Sequence, residues 1–354
     1  MWFLLWGAKT GNDTDFYVNG AQSLLEEGFG YYDDFRMYLK TTYMLFLGAH
    51  LNFSDELLWV IFSQAVLHIG SAVLLWSVIR NYCRDFSALI LVIAYSFFPV
   101  LARWNFYILT ESMAISASVV VVWLVWKLET SDKFNLIPFL PVLLMIALIR
   151  PHLAAIVLGF IIFYIVRKIS IHRFRLREIL AASSVVGGLL IFIFPDAEVL
   201  SKIATRFTEF YSRGIILGEW WRIDTGNLSE MSVWQKTMLF SKLMFWRVVS
   251  ELGMIRPYYS LINNFHLVLY ATAIYALCII GIARANYFWT KMGMLSAIVA
   301  NYALISLTLA SWDGRFAMYV MPQIWALAAM GVGVVEKKVC NCSAPGARLL
   351  RSNR

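Results

Sequence analysis

The sequence predicts an all-α polytopic membrane protein, with about nine to ten transmembrane helices and amphipathic helices on its outer face. Three observations predict it. Of the 354 residues, 60% are hydrophobic and 15% charged, where a soluble domain has roughly a quarter charged. Mean hydropathy is +0.67. Apolar runs recur at close to the roughly 20 residues that a bilayer core requires. This composition excludes a disordered chain, a soluble Rossmann or barrel enzyme, and a disulfide-built secreted module.

The runs place spans near 57–79, 86–104, 112–128, 135–149, 151–168, 178–194, 265–283, 292–311 and 316–335. Residues 1–335 read as a single transmembrane domain and 336–354 as a basic cytoplasmic tail. Met1 to Ala8 is apolar but too short to cross, with no basic leader and no small-residue cleavage site. It reads as the last turns of a first helix whose beginning is missing. Two segments, 9–56 and 195–264, are mixed polar and aromatic. Within them, 13–27 predicts a helix with Phe16, Ala21, Leu24 and Leu25 on its apolar side. Residues 233–254 alternate Val233, Trp234, Met238, Leu239, Phe245 and Val249 with Lys236, Lys242, Arg247 and Glu251. Helices of this kind lie in the interface plane, as a floor for a site or as loop anchors.

Net charge is +8. Its simplest cause is the Lys/Arg excess of cytoplasmic loops. One side carries Arg80, Arg84, Lys127, Lys133, Arg167, Lys168, Arg173, Arg175 and Arg177, then Arg284, Lys291, Lys337, Lys338 and the basic tail. Short loops on the other side offer Arg103, Arg150 and Arg315. The first side, with the C-terminus, is therefore cytoplasmic, and both long polar segments are periplasmic or lumenal. No basic stripe interleaved with aromatics suggests nucleic acid. Cys83, Cys278, Cys340 and Cys342 form no disulfide framework. The pair Cys340 and Cys342 falls short of the four ligands of a structural zinc site.

The spans are nearly free of acids, whereas transporters put charges near the midplane. Charges gather instead at the outer ends: Asp13, Asp15, Asp33, Asp34, Arg36, Lys40, Arg103, Glu111, Arg150, His152, Asp313 and Arg315. Carboxylates serve as general base or metal ligand, and arginines hold phosphate bidentately. Together they suit a phosphate-bearing lipid entering sideways from the bilayer. Each also has a plainer reading. Asp13 and Asp15 suit a helix N-cap or first turn, and Asp33-Asp34 a solvated turn. Glu111 complements a helix dipole, Arg150 can snorkel to headgroups, and Asp313-Gly314-Arg315 makes a tight turn. It is their common side of the membrane that points to a site. P-loop, HExxH and GxSxG motifs are absent. His152, His172 and His266 are scattered, and Asn12, Asn52 and Asn227 head sequons short enough to arise by chance.

The order of these features resembles the GT-C superfamily of membrane glycosyltransferases. It is nearest to family 39-type enzymes, including bacterial aminoarabinose transferases and protein mannosyltransferases. Asp13-Thr14-Asp15-Phe16-Tyr17 matches the acidic D-x-x-x-Y motif ahead of an outer amphipathic helix. Arg36 to Lys40 and Tyr43 to Gly48 match the next segment, without its usual proline. Leu109-Thr110-Glu111 resembles the acid that opens a later span, and Ile149-Arg150-Pro151 the basic-proline turn near the donor phosphate. Asp313 to Pro322 resembles the closing R-[YF]-x-x-x-x-x-P segment. The basic-proline turn carries Arg, not the Lys of the aminoarabinose branch. No large soluble domain follows the last predicted span.

The resemblance implies inverting transfer of a sugar from a polyprenyl-phosphate donor to an acceptor (lipid, glycan or protein) on the outer face. Asp13 is then the expected base, with Asp15 as alternate, and Glu111 orients acceptor or donor sugar. Arg150 and Arg315 neutralise the donor phosphate, with Arg103 a weaker candidate, and Tyr17, Arg36 and Asp313 complete the pocket. No metal site or resident cofactor is expected from the motifs, although the acids are compatible with a divalent cation. A lipid-linked glycan flippase or transporter and a polysaccharide polymerase are the alternatives.

Overall fold

The computed structural model describes residues 13–28, 39–54, 56–131, 134–171, 211–217, 221–226, 228–252, 260–308 and 315–343, with isolated positions besides. The predicted span 178–194, the apolar start at 1–8, Asp33, Asp34, Arg36, Asp313 and the end of the basic tail lie outside the described residues.

The chain is helical, and six of its described helices are long and apolar enough to cross a membrane. These are α3 (Leu58–Ile79), α6 (Thr110–Thr130), α8 (Pro151–Ser170), α10 (Leu261–Arg284), α11 (Phe288–Leu307) and α12 (Met321–Ser343), the last led in by a 3₁₀ turn at Ala317–Val320. All six fall on predicted runs. Around them stand α1 (Thr14–Glu27), α2 (Thr41–Leu51), α4 (Asp85–Ser96), α5 (Pro99–Trp104), α7 (Leu140–Ala147) and α9 (Val233–Leu252). A small antiparallel hairpin pairs β1 (Ile215–Leu217) with β2 (Trp221–Arg222).

Two predicted spans are shorter than expected. The run 86–104 divides at Phe98, whose extended backbone (φ −57°, ψ 117°) precedes Pro99. Proline disfavours helical geometry in the residue before it. The 12 residues of α4 reach only about 18 Å, against a hydrocarbon core of about 30 Å. The run 135–149 becomes a 3₁₀ turn at Ile137–Phe139 and the eight-residue α7. Pro138 and Pro141 each sit in the first turn of their element, where a missing N–H is tolerated.

α12 is the axis of the bundle: every residue from Phe316 to Gly331 is buried. α10 packs along it, α8 along α11, α3 along α6 and α1 along α2. The α10–α12 approach depends on glycine. A Cβ on Gly281 would stand 2.0 Å from the Leu327 carbonyl oxygen, and one on Gly331 2.0 Å from that of Leu277. Small residues let backbones meet in this way where lipid removes the hydrophobic drive between helices. The outward faces are apolar, with Ile69, Val73, Ile279 and Val299 all more than half exposed, as a lipid-facing surface requires.

The amphipathic helices form, but with different faces from those the pattern suggests. On α1 the buried stripe is Thr14, Tyr17, Gly20, Ala21 and Leu24, and Leu25 is 52% exposed. On α9 the residues facing the protein are Leu243, Arg247 and Glu251, at i, i+4 and i+8. Val233, Trp234, Met238 and Phe245 point away from it. Arg247 and Glu251 therefore help anchor α9 to the bundle beside Leu243, and Val233, Trp234, Met238 and Phe245 are left to the surroundings.

Candidate active site

Antiparallel succession brings the starts of α6, α8 and α12 to one end of the bundle. Each start carries a charged residue. Glu111 lies in the first turn of α6, Arg150 is the N-cap of α8, and Arg315 precedes the 3₁₀ turn leading into α12. Pro151 follows Arg150 directly, so Arg150 takes an extended backbone (φ −166°, ψ 149°) before the helix begins. Its carbonyl accepts the N–H groups of Leu153 and Ala154 at 2.9 and 3.2 Å, and its side chain turns into the protein.

There the three charges meet. Oε1 of Glu111 accepts a hydrogen bond from Nη1 of Arg150 and another from Nη1 of Arg315, the latter at 3.2 Å. Nη1 of Arg150 also donates to the Thr110 hydroxyl at 2.6 Å. The side chains of Glu111 and Arg150 are 1% and 7% exposed, and that of Arg315 is 20% exposed. Charges this far from water require mutual neutralisation and full hydrogen bonding. Among the described residues, two guanidinium groups face this one carboxylate.

Aromatic groups wall the cluster. The Arg150 guanidinium lies 5.7 Å from the Phe316 ring and 5.6 Å from that of Tyr319. His152 stacks on Phe316 with centroids 4.1 Å apart. From α1, Tyr17 enters fully buried and meets Tyr43 of α2 edge-on at 5.2 Å. Tyr43 accepts a hydrogen bond from Gln64 Nε2 at 3.1 Å, and the same amide donates to the Leu109 carbonyl at 3.3 Å. Lys40 caps these rings, its Nζ 4.9 Å from Phe16 and 4.6 Å from Tyr17.

Several buried polar atoms here lack a hydrogen-bond partner among the described residues: the hydroxyls of Tyr17 and Tyr319 and both ring nitrogens of His152. Native interiors leave few such atoms, and a group of them calls for a ligand, an ion or water. Burial pushes the Tyr17 phenol up to about 12, with Arg150, Glu111 and Asp13 all within electrostatic reach of it. Burial also holds Tyr43 well above the usual phenol range. Both hydroxyls therefore stay protonated and can donate.

Backbone contacts hold these pieces in register. The Thr14 hydroxyl donates to the Ile108 carbonyl at 3.2 Å, fixing α1 beside the start of α6. Thr42 donates through its hydroxyl to Met145 at 2.8 Å and through its N–H to Leu148 at 3.1 Å, fixing α2 beside Arg150. Glu251 of α9, fully buried, accepts the Ala317 N–H at 2.8 Å, two residues from Arg315. Arg247 donates to the carbonyls of Ile215 and Ser306 at 2.9 and 3.0 Å, and burial pulls its pKa down to about 10.

Of the residues expected from sequence, Glu111, Arg150, Arg315 and Tyr17 come together. Asp13 is the N-cap of α1, half-buried, and makes no side-chain capping bond. Asp15, two positions on, is exposed. The Arg103 guanidinium lies over its neighbour Trp104 at 4.5 Å. The partners of the Glu111 carboxylate among the described residues are Thr110, Arg150 and Arg315. Thr110, Tyr43, Gln64 and Tyr319 were not among the site residues expected from the sequence, although all but Gln64 lie in the quoted motif stretches. Polar residues inside or beside apolar runs were the available signal. Among the described residues no three His, Cys, Asp or Glu side chains gather as a metal-ligand set.

No family model matches the chain, and neither a curated protein nor a solved structure matches it.

Proposed function

We propose that this protein is a GT-C-type membrane glycosyltransferase that moves a sugar from a polyprenyl-phosphate donor to an acceptor at the outer membrane face. One observation carries the reading: a buried cluster in which two guanidinium groups share one carboxylate, beside hydroxyl and imidazole groups that lack a hydrogen-bond partner among the described residues. A phosphate oxygen is the complement of such a cluster, in charge and in hydrogen bonding. The basic ends of the spans stand at the opposite end of the bundle, which supports an outer position for the site. The outward apolar face of α9 supports a helix lying in the interface. The finer topology, nine to ten spans with a cytoplasmic C-terminus, belongs to the same proposal.

In this reading the Asp13 carboxylate takes the proton of the acceptor hydroxyl. The acceptor oxygen bonds to the anomeric carbon as the bond from that carbon to the phosphate oxygen breaks, and polyprenyl phosphate leaves. Arg150 and Arg315 stabilise the charge that grows on the leaving oxygen. Glu111, already bonded to both, holds them in place for the phosphate. Tyr17 donates from the side.

The test is sugar transfer by purified protein in liposomes, using labelled polyprenyl-phosphate sugars and an envelope acceptor fraction. Asp13→Asn should abolish transfer and keep donor binding, and full transfer by this variant would remove Asp13 from the chemistry. Movement of the lipid-linked sugar across the bilayer with no transfer would replace the enzyme by a flippase.

A further inference from the structure

The opposite end of the bundle holds a second feature, which the transfer site does not use. It is a cavity of about 530 Å³ where the turn after α3 meets the last turns of α12, lined by Arg80, Arg84, Tyr287, Gly333, Glu336 and Lys337. A Cβ on Gly333 would stand 1.9 Å from the Tyr82 carbonyl oxygen, so the turn rests directly on the helix backbone. Tyr82 packs edge-on against Tyr287 with centroids 4.9 Å apart. This is a built recess, with its floor fixed by backbone contact.

Its charge is predominantly positive. Glu336 is already engaged: Oε2 accepts the Arg84 N–H at 2.9 Å and Oε1 the Ser87 hydroxyl at 2.5 Å. The Arg84 guanidinium also donates to the Cys340 sulfur. Arg80 lies over the Trp76 ring at 4.8 Å, with its Nε 3.6 Å from Asp85 in a largely exposed pair. Such a pair holds its cation weakly. Arg80, Arg84 and Lys337 are thus three cations on one recess.

Beside it runs a groove of about 210 Å³, lined by Leu277 of α10 and by Val332, Val335 and Val339 of α12. Arg84, Glu336 and Cys340 border both spaces. A cationic recess therefore opens into an apolar channel between the ends of two spans. We propose that this is a binding site for an anionic phospholipid of the leaflet at that end. Its phosphate sits among Arg80, Arg84 and Lys337, and one acyl chain runs along the groove between α10 and α12. A free phosphate would leave the apolar half of the site empty, and a zwitterionic lipid would leave the cations uncompensated.

The test counts bound lipid by native mass spectrometry on the full chain in micelles, with equal phosphatidylglycerol and phosphatidylcholine. Wild type should retain the anionic lipid preferentially, and excess inorganic phosphate should not displace it. Arg84→Gln and Lys337→Gln, both at exposed positions, should each lower retention about fivefold. Val335→Trp, which fills the groove and leaves the charges intact, should lower retention of both lipids. Equal retention of the two lipids by wild type would overturn the proposal, as would unchanged retention in all three variants. Displacement by inorganic phosphate would assign the recess to a soluble anion and overturn it as a lipid site.

Discussion

The two ends of the bundle use the same side chains to opposite effect. At one end Glu111 and Arg150 are 1% and 7% exposed and locked together, and at the other Arg80 and Asp85 are 46% and 74% exposed and 3.6 Å apart. The first end is held by buried polar bonds among α1, α2, α6, α8 and the approach to α12. The second is held by glycine, through the backbone contacts of Gly281, Gly331 and Gly333. The difference teaches where charge is structural. A buried ion network is intolerant of losing one member, because the group left behind has no water to turn to. An exposed pair is replaceable and leaves its cations available to a passing ligand.

The sharpest break in this comparison is Arg150→Gln. It leaves the buried Glu111 with Arg315 as its one cationic partner among the described residues and should cost about 3–5 kcal/mol, measured by steric trapping or denaturant unfolding in bicelles. A loss under 1 kcal/mol would mean that the cluster is hydrated and no different in kind from the exposed end.

Alkaline pH tests the same end by another route. Burial raises the Tyr17 phenol from its ordinary value near 10 to about 12. A raised folded-state value means stability that is fully present below pH 10 and lost as pH rises through 12. The two-unit shift corresponds to about 2–3 kcal/mol. Wild type should therefore lose more stability than Tyr17→Phe between pH 9 and 12, and parallel curves would contradict the burial of that hydroxyl.

At the glycine-held end, Gly331→Ala places a methyl group against the Leu277 carbonyl oxygen. It should destabilise by about 1–3 kcal/mol, as overpacking does, without changing donor binding at the far end. The smallest effect should come from Asp85→Asn, below about 1 kcal/mol for an exposed pair. A larger loss would show that the exposed end too depends on its charges.

The fold was largely legible because hydropathy reports what faces lipid, and six of the predicted runs are helices of spanning length. Phe98 and the prolines at 138 and 141 show where such a reading fails. Apolar content continues through residues whose backbone cannot stay helical, and window averages do not register that. In the site, Glu111, Arg150 and Arg315 were legible individually, because a charge beside an apolar run is conspicuous. Their convergence on one carboxylate was not, since residues 111, 150 and 315 meet only through the packing of three helices. α9 misled for a related reason. Its apolar residues form the more obvious stripe, yet Arg247 and Glu251 face the protein because backbone groups of Ile215, Ser306 and Ala317 await them there.

The central claim is that the buried cluster holds a lipid phosphate. Its most direct measurement is the affinity for a short-chain polyprenyl phosphate of wild type and of Arg315→Gln, the more exposed of the two guanidinium positions. Losing one charge-assisted hydrogen bond should weaken binding about ten- to a hundredfold while the protein stays folded. Equal affinities, with both proteins folded, would contradict the assignment of the cluster to phosphate.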